Sequence, residues 1–571
     1  MVYPYHLPLA VAVTGHRDVA PEDEAQLHAL VKNRLESLKN EYPSTPLLAL
    51  SGLAEGADMV FAEAALELGM ELVAVLPAPR EVFARDFQKP TYPARTAEDL
   101  TQRFHNILAR CSDRVVVGEG RHAQEPDRYT YVGAYLVRRC HVLFALWGGA
   151  EPDSEGGTGH VVKLAREGVP NRYRESPLRA LDSPDPVTIH HLISPRKGAA
   201  VENAFTWKIM EPAEWAAGAC RAMPANPLSA LESFNKEACA FAARHPNAIE
   251  QSKGYLGLPE EELTRAERRI VHGYAIADAM AVDCRDKSNR TLLVIYGISL
   301  FMLLGFAVYS NVFPHTWLHA VYYVAFLLGC GLYVWDKWKR VHMRYVNYRG
   351  LAEGLRVQLF YRLAGVRNLA ADLYLRKQRH EMAWIRQAMR ALEAGPRRNE
   401  PQSAVVLTRW IKDQADFFKG ARVRDAKKIR WFTWYARVGF WAGLFCGLLG
   451  LFVEIGNYAA HDSILLHWLF MLMGVFPAIA ALIGSYVHRR GLEQHVREYD
   501  KMGAMFCQAA ELVECDGLMH KNLCTHEEHM PERQKHTGFQ LLVRELGREA
   551  LADNAQWLML HRELPPTLPS S

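Results

Sequence analysis

Thr291–Phe313 reads TLLVIYGISLFMLLGFAVYSNVF, Pro314–Thr316 reads PHT, and Trp317–Trp335 reads WLHAVYYVAFLLGCGLYVW. Neither apolar run holds an Asp, Glu, Lys or Arg. A run of roughly 20 such residues matches the ~30 Å hydrocarbon core of a bilayer at about 1.5 Å per helical residue. In lipid the backbone must satisfy its own hydrogen bonds, so each run is predicted to be helical. The short break around Pro314 leaves room only for a tight turn, and the stretch predicts a transmembrane hairpin. The alternative is a buried helical hairpin of a large soluble protein, but charge-free runs of this length read as spans.

A second hairpin follows, with spans Trp431–Val453 and Leu465–Val487 around the break EIGNYAAHDSI. Lys and Arg gather on one side of all four spans: Arg285, Lys287 and Arg290; Lys337, Lys339, Arg340 and Arg344; Lys427, Lys428 and Arg430; Arg489 and Arg490. The two breaks carry neither residue. The positive-inside bias therefore predicts a multi-pass protein with both termini and all large polar parts in the cytoplasm. Trp317, Trp335, Trp338, Trp431, Trp434 and Trp468 stand near span ends, as an interfacial aromatic belt requires. Among the ionisable and polar residues of the spans and their ends, Arg437, Glu454, Asn457 and His467 lie near ends, which argues against an ion-coupled transporter. Gly443, Gly447 and Gly450 fall near one helical face and permit close helix packing.

A net charge of +4 over 571 residues argues against a dedicated nucleic-acid binder, so the expected macroscopic partner is the lipid bilayer, with basic flanks on anionic headgroups. The ten cysteines are scattered, with Cys330 and Cys446 inside spans, and are expected to be reduced thiols. The N-terminus leads straight toward an apolar strand, with no signal peptide expected. Cys515, His520, Cys524, His526 and His529 cluster in sequence, but their spacing fits no strong ligand pattern; a solvated loop is expected, and no metal.

Before the spans, short apolar runs alternate with helical stretches. Leu9–Val13, Pro46–Leu50, Glu71–Leu76, Arg114–Val117, Val142–Trp147 and Val187–Ile193 read as strands, and Glu22–Lys39, Ala57–Leu68, Tyr131–Arg139 and Val161–Glu167 as helices. That alternation predicts an α/β doubly wound parallel sheet over residues 1–200. In such sheets ligands sit beyond the carboxyl ends of the strands, at the switch point. Three strand ends here carry small and polar residues: Thr14-Gly15-His16-Arg17, Ser51-Gly52 with Glu55 and Asp58, and Trp147-Gly148 running on to Gly156-Gly157-Thr158. Glycines let backbone approach a ligand closely, helix N-termini suit phosphate, His16 and Arg17 can pair with phosphate oxygens, and Glu55 or Asp58 can accept from ribose hydroxyls. Each piece also has a plain structural reading as a turn glycine, a surface charge or an early-helix carboxylate; it is their coincidence at three loops that points to a ligand.

These three motifs, AVTGHRD, ALSGLAEGADMVFAEAALELGMELVAVLP and VLFALWGG…EGGTGHVV, resemble the SLOG superfamily over roughly Leu7–Arg196. This is the Rossmann-like fold of the lonely-guy phosphoribohydrolases and DprA-type proteins. The resemblance implies a nucleotide-derived ligand, with Gly156, Gly157 and Thr158 as the phosphate loop. The lonely-guy hydrolases carry a fuller Pro-Gly-Gly-x-Gly-Thr-x-x-Glu motif, whereas Thr158 here is followed by Gly159, His160, Val161 and Val162. Many relatives also have an Asp after the strand-five Trp, where this chain has Gly148. Both departures favour binding without turnover, so no catalytic residue and no cofactor are assigned.

Residues 201–290 read as a helical connector, charged and helical from Pro259 to Asn289. The hairpins occupy 291–340 and 431–490, and cytoplasmic helices occupy 341–430 and 491–571, with Pro396–Arg422 as a loop holding a short helix. The second half repeats the first: VREYDKMGAMFCQAAELV stands where VNYRGLAEGLRVQLF stood, and the Trp557 segment where the Trp384 segment stood. Pro259–Leu564 resembles the SLATT group of paired-helix effector domains found beside nucleotide-synthase genes in bacterial conflict systems, on the Tyr-Arg-Gly-Leu-Ala-Glu-Gly-Leu-Arg run and Trp384-Ile385-Arg386. Together the resemblances imply an antiphage effector of the bacterial inner membrane. It would be a homo-oligomer, sensing an ADP-ribose derivative or cyclic nucleotide and breaching the membrane. The alternatives are a membrane-anchored nucleotide phosphoribohydrolase and a ligand-gated channel like the melastatin-type TRP channels.

Overall fold

The computed structural model describes residues 6–92, 95–117, 127–149, 155–176, 187–195, 201–211, 226–374, 382–398, 400–456, 464–515 and 537–563. The chain divides into two compact units. The first is Met1–Ala279 with Gly350–Val406 and Met519–Gln556; the second is Met280–Arg349 with Leu407–Leu518 and Trp557–Ser571.

The first unit is built on a seven-stranded sheet: β1 (Leu9–Gly15), β2 (Leu47–Ser51), β3 (Glu71–Leu76), β4 (Asp113–Val116), β5 (Val142–Trp147), β6 (Thr188–Ile193) and β7 (Trp207–Met210), in the order β4-β3-β2-β1-β5-β6-β7. The first six strands run parallel, with Leu9 opposite Leu47 and Val11 opposite Val142. Strand β7 is antiparallel, Ile189 facing Met210. It falls in the stretch expected to be a helical connector. Four residues with a lysine in the middle give no period to read, and the strand exists because β6 offers it an open edge.

The central strands are buried on both faces, as a sheet covered by crossover helices requires. On one face Ala10, Ala12, Leu48, Leu50, Val73, Val75, Leu143 and Ala145 share a core with residues of helices running Asp127–Arg139 and Thr158–Glu167. The alternate residues face the other way: Phe144 meets Phe61 at 5.5 Å between ring centroids. We number the helices α1 (Pro21–Glu41), α2 (Ala57–Glu67), α3 (Ala97–Arg110), α4 (Asp127–Arg139), α5 (Thr158–Glu167) and α6 (Pro227–Ala242). Helix α3, not anticipated from the pattern, starts on a side-chain cap, Thr96 accepting from the Asp99 amide at 3.0 Å. Helix α6 is tied to the start of β1 by Asn235, which accepts from Leu7 N at 2.9 Å and donates to Leu7 O at 2.8 Å.

Beyond the short helices Arg80–Phe83, Pro246–Gly254 and Ser403–Val406, we number α7 (Arg265–Asn311), α8 (Thr316–Lys339), α9 (Val341–Leu363), α10 (Ala383–Leu392), α11 (Asp413–Gly456), α12 (Ile464–Arg489), α13 (Leu492–Cys515) and α14 (Gly538–Glu563). Among the described residues, four helical segments are long and apolar enough to cross a membrane, and they cover the four runs read as spans, the first of them as far as Asn311. The charged lead into the first span belongs to the same helix, α7. The stretch before the third span differs from expectation: a π-helical turn, Leu407–Lys412, feeds directly into α11. Asp413 and Asp416 sit in the first turn of α11, where the helix dipole favours carboxylates.

The duplicated plan is visible in the elements. A long helix, a span and a further helix recur as α7-α8-α9 and α11-α12-α13, and each span is separated from the next helix by a left-handed residue, Arg340 (φ 49°) or Gly491 (φ 59°). Within the second hairpin, a Cβ added at Gly443 would lie 2.6 Å from Pro477 Cδ, and one at Gly447 2.7 Å from Met473 Sδ. The glycine face of α11 is thus the packing face for α12.

Within the first unit the segment Gly350–Val406 packs on the sheet. Ala391 and Ala394 join the core beneath α4, and Gly395 N donates to Tyr135 Oη at 3.2 Å. Arg138, at the end of α4, pairs with Asp372 and Glu175, and Asp372 also takes Arg390 at 2.5 Å. Glu393 is buried among Arg362 (3.1 Å), Arg397 (2.5 Å) and Gln358. Burial alone would raise the pKa of Glu393, but Arg362, Arg397 and Arg139 hold it at about 2.

Candidate functional site

Strand order turns at β1, with β2 on one side and β5 on the other, so the switch point lies between the ends of β1 and β5. A cavity of about 870 Å³ opens there. Thr14, Gly15, His16 and Arg17 line it from the end of β1, Gly52 and Asp58 from the β2 loop and the start of α2, and Trp147, Gly148, Gly156, Gly157 and Thr158 from the end of β5 and the start of α5. The three loops singled out in the sequence meet around one space.

Local sterics explain the glycines. A Cβ on Gly15 would lie 2.3 Å from Ala57 Cβ, so β1 and α2 approach only because it is absent. Gly56 sits at φ 84°, where an L side chain is strained, and its Cβ would strike the His16 and Arg17 carbonyls at 2.6 Å. The close approach lets Ala57 N donate to His16 O at 3.1 Å. On the other side, Gly148 N donates to His16 Nε2 at 3.1 Å, so the imidazole accepts on that nitrogen and ties the β1 and β5 loops together. Gly157, the N-cap of α5, has no side chain to cap the helix, while His160 of its first turn accepts from Gly156 N on Nδ1 at 3.0 Å.

Ser51 and Glu55 stand behind the wall rather than in it. Ser51 is fully buried; its Oγ donates to Asp58 O at 3.1 Å and accepts from Leu53 N at 3.1 Å, which sets the β2 loop. Glu55 accepts from Thr91 Oγ1 at 2.9 Å and lies 3.6 Å from Arg95, so it places Thr91, which does line the cavity. Sequence reading missed a further wall: Tyr129, Val132, Gly133 and Leu136 of α4, together with Phe83. Arg17 lies over the Tyr129 ring at 4.7 Å, and the Tyr129 hydroxyl donates to Asp86, which also takes Arg128 at 3.1 Å. The helix was expected to begin at Tyr131, two residues too late to include that ring. His520, Cys524, His526 and His529 lie outside the described residues.

Asp58 is the electrostatic centre of the site. It is 8% exposed, and its one hydrogen bond from the backbone, Ala54 N to Oδ2, is long at 3.4 Å. Burial raises its pKa to about 7 against the opposing pull of the Ala54 amide and Arg17. The folded carboxyl therefore binds its proton more tightly than the unfolded one. Its contribution to stability is full below about pH 4 and is lost as pH rises through about 7. Asp58→Asn is expected to stabilise the empty protein at about pH 8 by about 1–3 kcal/mol, with no gain near pH 4. Thermal melting of both forms across that range measures it, and a pH-independent difference would contradict the assignment. A buried carboxyl raised by desolvation and facing a cavity is a candidate functional position.

Neither the models of known protein families nor the curated proteins match this chain.

Proposed function

We propose that the chain is a membrane effector whose sheet unit senses a nucleotide-derived second messenger, an ADP-ribose derivative or a cyclic nucleotide, and whose spans then open a pore or disrupt the bilayer. The observation that carries this reading is the coincidence, on one polypeptide, of a switch-point cavity lined by three glycine loops and of four helices long enough to span a bilayer. The cavity falls within the size range of ligand sites. The N-terminus of α5, at Thr158, borders it and suits phosphate; Arg17 supplies a cation; Trp147 and Tyr129 supply rings for a base. The resemblances to SLOG and SLATT proteins support a role in antiphage abortive infection. The Lys and Arg flanks support a bacterial inner membrane with both termini in the cytoplasm, and the duplicated hairpins support a homo-oligomer. A ligand drives such a change only through its differential affinity for the active state.

The test uses the full chain in detergent and in dye-loaded vesicles. Thermal stabilisation by a panel of ADP-ribose derivatives, cyclic dinucleotides and nucleoside monophosphates is measured first, then dye release. One compound is expected to stabilise the protein and release dye, with Arg17→Ala and Thr158→Val each weakening its binding about tenfold or more, the loss of one charge-assisted contact. Stabilisation with no dye release at any concentration would sink the effector reading. A membrane-anchored phosphoribohydrolase is the second reading, favoured by the near-neutral Asp58, which has the pKa of a general acid or base. Release of free base from a monophosphate, abolished by Asp58→Asn, would establish it.

A further inference from the structure

We infer that copies of this chain join head to tail within the membrane, the third span of one against the second span of the next, by repeating a contact that already joins the first and fourth spans inside each chain. The inference rests on the membrane homo-oligomer proposed above and names the two surfaces it uses.

The internal contact lies within the second unit. Ala307 of α7 packs with Met471 and Val475 of α12, flanked by Val308, Val312 and Ile479. At the other end of the same two spans, Tyr296 Oη and Ser485 Oγ share a hydrogen bond at 2.8 Å, and the Tyr296 ring meets that of Tyr486 edge-on at 5.4 Å. The helix that opens the first hairpin therefore packs on the helix that closes the second.

The duplication shows where the same surfaces recur. Taking Arg340 as the counterpart of Gly491 pairs Tyr322 with Met473 and Gly329 with Ala480. These pairs do the same work in their own hairpins. The Tyr322 ring meets Phe306 at 6.3 Å, and a Cβ on Gly329 would lie 3.5 Å from Ile298. Likewise Met473 lies against Gly447 and Ala480 against Gly439. Phe306 thus answers to Gly447 and Ile298 to Gly439, which sets Leu448 in the place of Ala307 and Arg437 in the place of Tyr296. On the closing helices, Val324 takes the place of Val475 and Trp335 that of Tyr486.

These counterparts are left uncovered. Ala307 is 9% exposed and Val475 4%, whereas Leu448 and Val324 are each 58% exposed. Lipid covers an apolar face as well as protein does, so association of spans depends on matched packing rather than on hydrophobicity. Here the repeat presents the same two helix faces that already fit each other within the chain, and a second copy supplies the missing side of each. Arg437 is exposed on the third span, where charge is costly without a partner. The repeat brings Trp335 of the next copy to it, a cation beside an indole. Such a contact is heterologous: it passes from copy to copy and closes into a ring where the rotation permits.

Cysteine cross-linking of the full chain in lipid nanodiscs tests this, with Cys330 and Cys446 replaced by alanine and no ligand added. Ala307→Cys with Val475→Cys in one chain calibrates the internal contact. Leu448→Cys chains mixed with Val324→Cys chains are expected to give a cross-linked dimer at least about tenfold above either alone, as a heterologous contact demands. Leu448→Cys mixed with Tyr323→Cys, on another exposed face of α8, is the control. Circular dichroism establishes that each variant is helical, and light scattering gives the number of copies. Assembly with no excess of the Leu448–Val324 product over the control, or with Leu448→Cys linking chiefly to itself, overturns the inference and leaves the homo-oligomer standing. A single copy at every protein concentration means that lipid covers both faces, and removes the homo-oligomer together with this inference.

Discussion

Asp372→Ala is expected to destabilise the first unit by about 3–5 kcal/mol, the cost of leaving buried charge without its partner. Asp372 has a side chain only 4% exposed and pairs with Arg138, Arg390 and, at 3.8 Å, Arg174, each of them 7% exposed or less. Removing the carboxylate strands guanidinium charge in low dielectric, and the energy is dominated by that stranding rather than by the worth of the pair itself. The double change Arg138→Met with Asp372→Leu is therefore expected to cost less than Asp372→Ala alone. Denaturant titration followed by hydrogen exchange of residues 127–139 measures both. A loss below about 1 kcal/mol, or a double variant worse than the single, would show that the cluster is solvated after all. The same substitution reaches the candidate site, because α4 carries Arg138 at one end and Tyr129, Val132, Gly133 and Leu136 in the cavity wall. Ligand affinity is expected to fall together with protection of α4.

Gly15→Ala is the second large effect. Its new methyl group would be built 2.3 Å from Ala57 Cβ and 3.1 Å from Leu146 Cβ, both on elements held by the sheet core. Overpacking of this kind costs about 1–3 kcal/mol. Here it also pushes the start of α2 from β1 and breaks the bond from Ala57 N to His16 O. The β1 loop, with Arg17, then loses its anchor, so binding at the cavity is expected to weaken more than global stability. The steric account makes a specific demand: Gly15→Ala combined with Ala57→Gly removes the offending methyl and is expected to restore most of both properties. A double variant no better than Gly15→Ala would refute it.

These two predictions draw on different layers of information. Gly15 is legible in the chain, since a glycine ending an apolar run before a helix announces close backbone approach. The pairing that Asp372→Ala disrupts is not, because Arg138 and Asp372 are 234 residues apart and nothing local in either neighbourhood calls for the other. The same contrast runs through the site. Thr14 to Arg17, Gly52, Asp58, Trp147, Gly148 and Gly156 to Thr158 were found because strand ends and glycines mark where backbone can face a ligand. Ser51 and Glu55 have the same residue character and lie in the same motif, yet they face inward to hold Asp58 and Thr91. Tyr129 and Phe83 line the cavity without any motif, since a wall is made by whatever side chain packing brings to it.

By itself the sequence determined the four spans, because bilayer thickness imposes a length and a polarity that no other environment demands. It also determined the parallel sheet, because doubly covered strands must be apolar throughout and must alternate with helices. The tertiary structure decided the rest. It added β7, a four-residue strand that needs the open edge of β6. It carried the charged helices into the spans as continuous α7 and α11. It bound Gly350–Val406 to the sheet through Asp372, Glu393 and Gly395. It also decided which carboxylate faces the cavity, for burial and hydrogen-bond geometry belong to the packed state and leave no period in the chain.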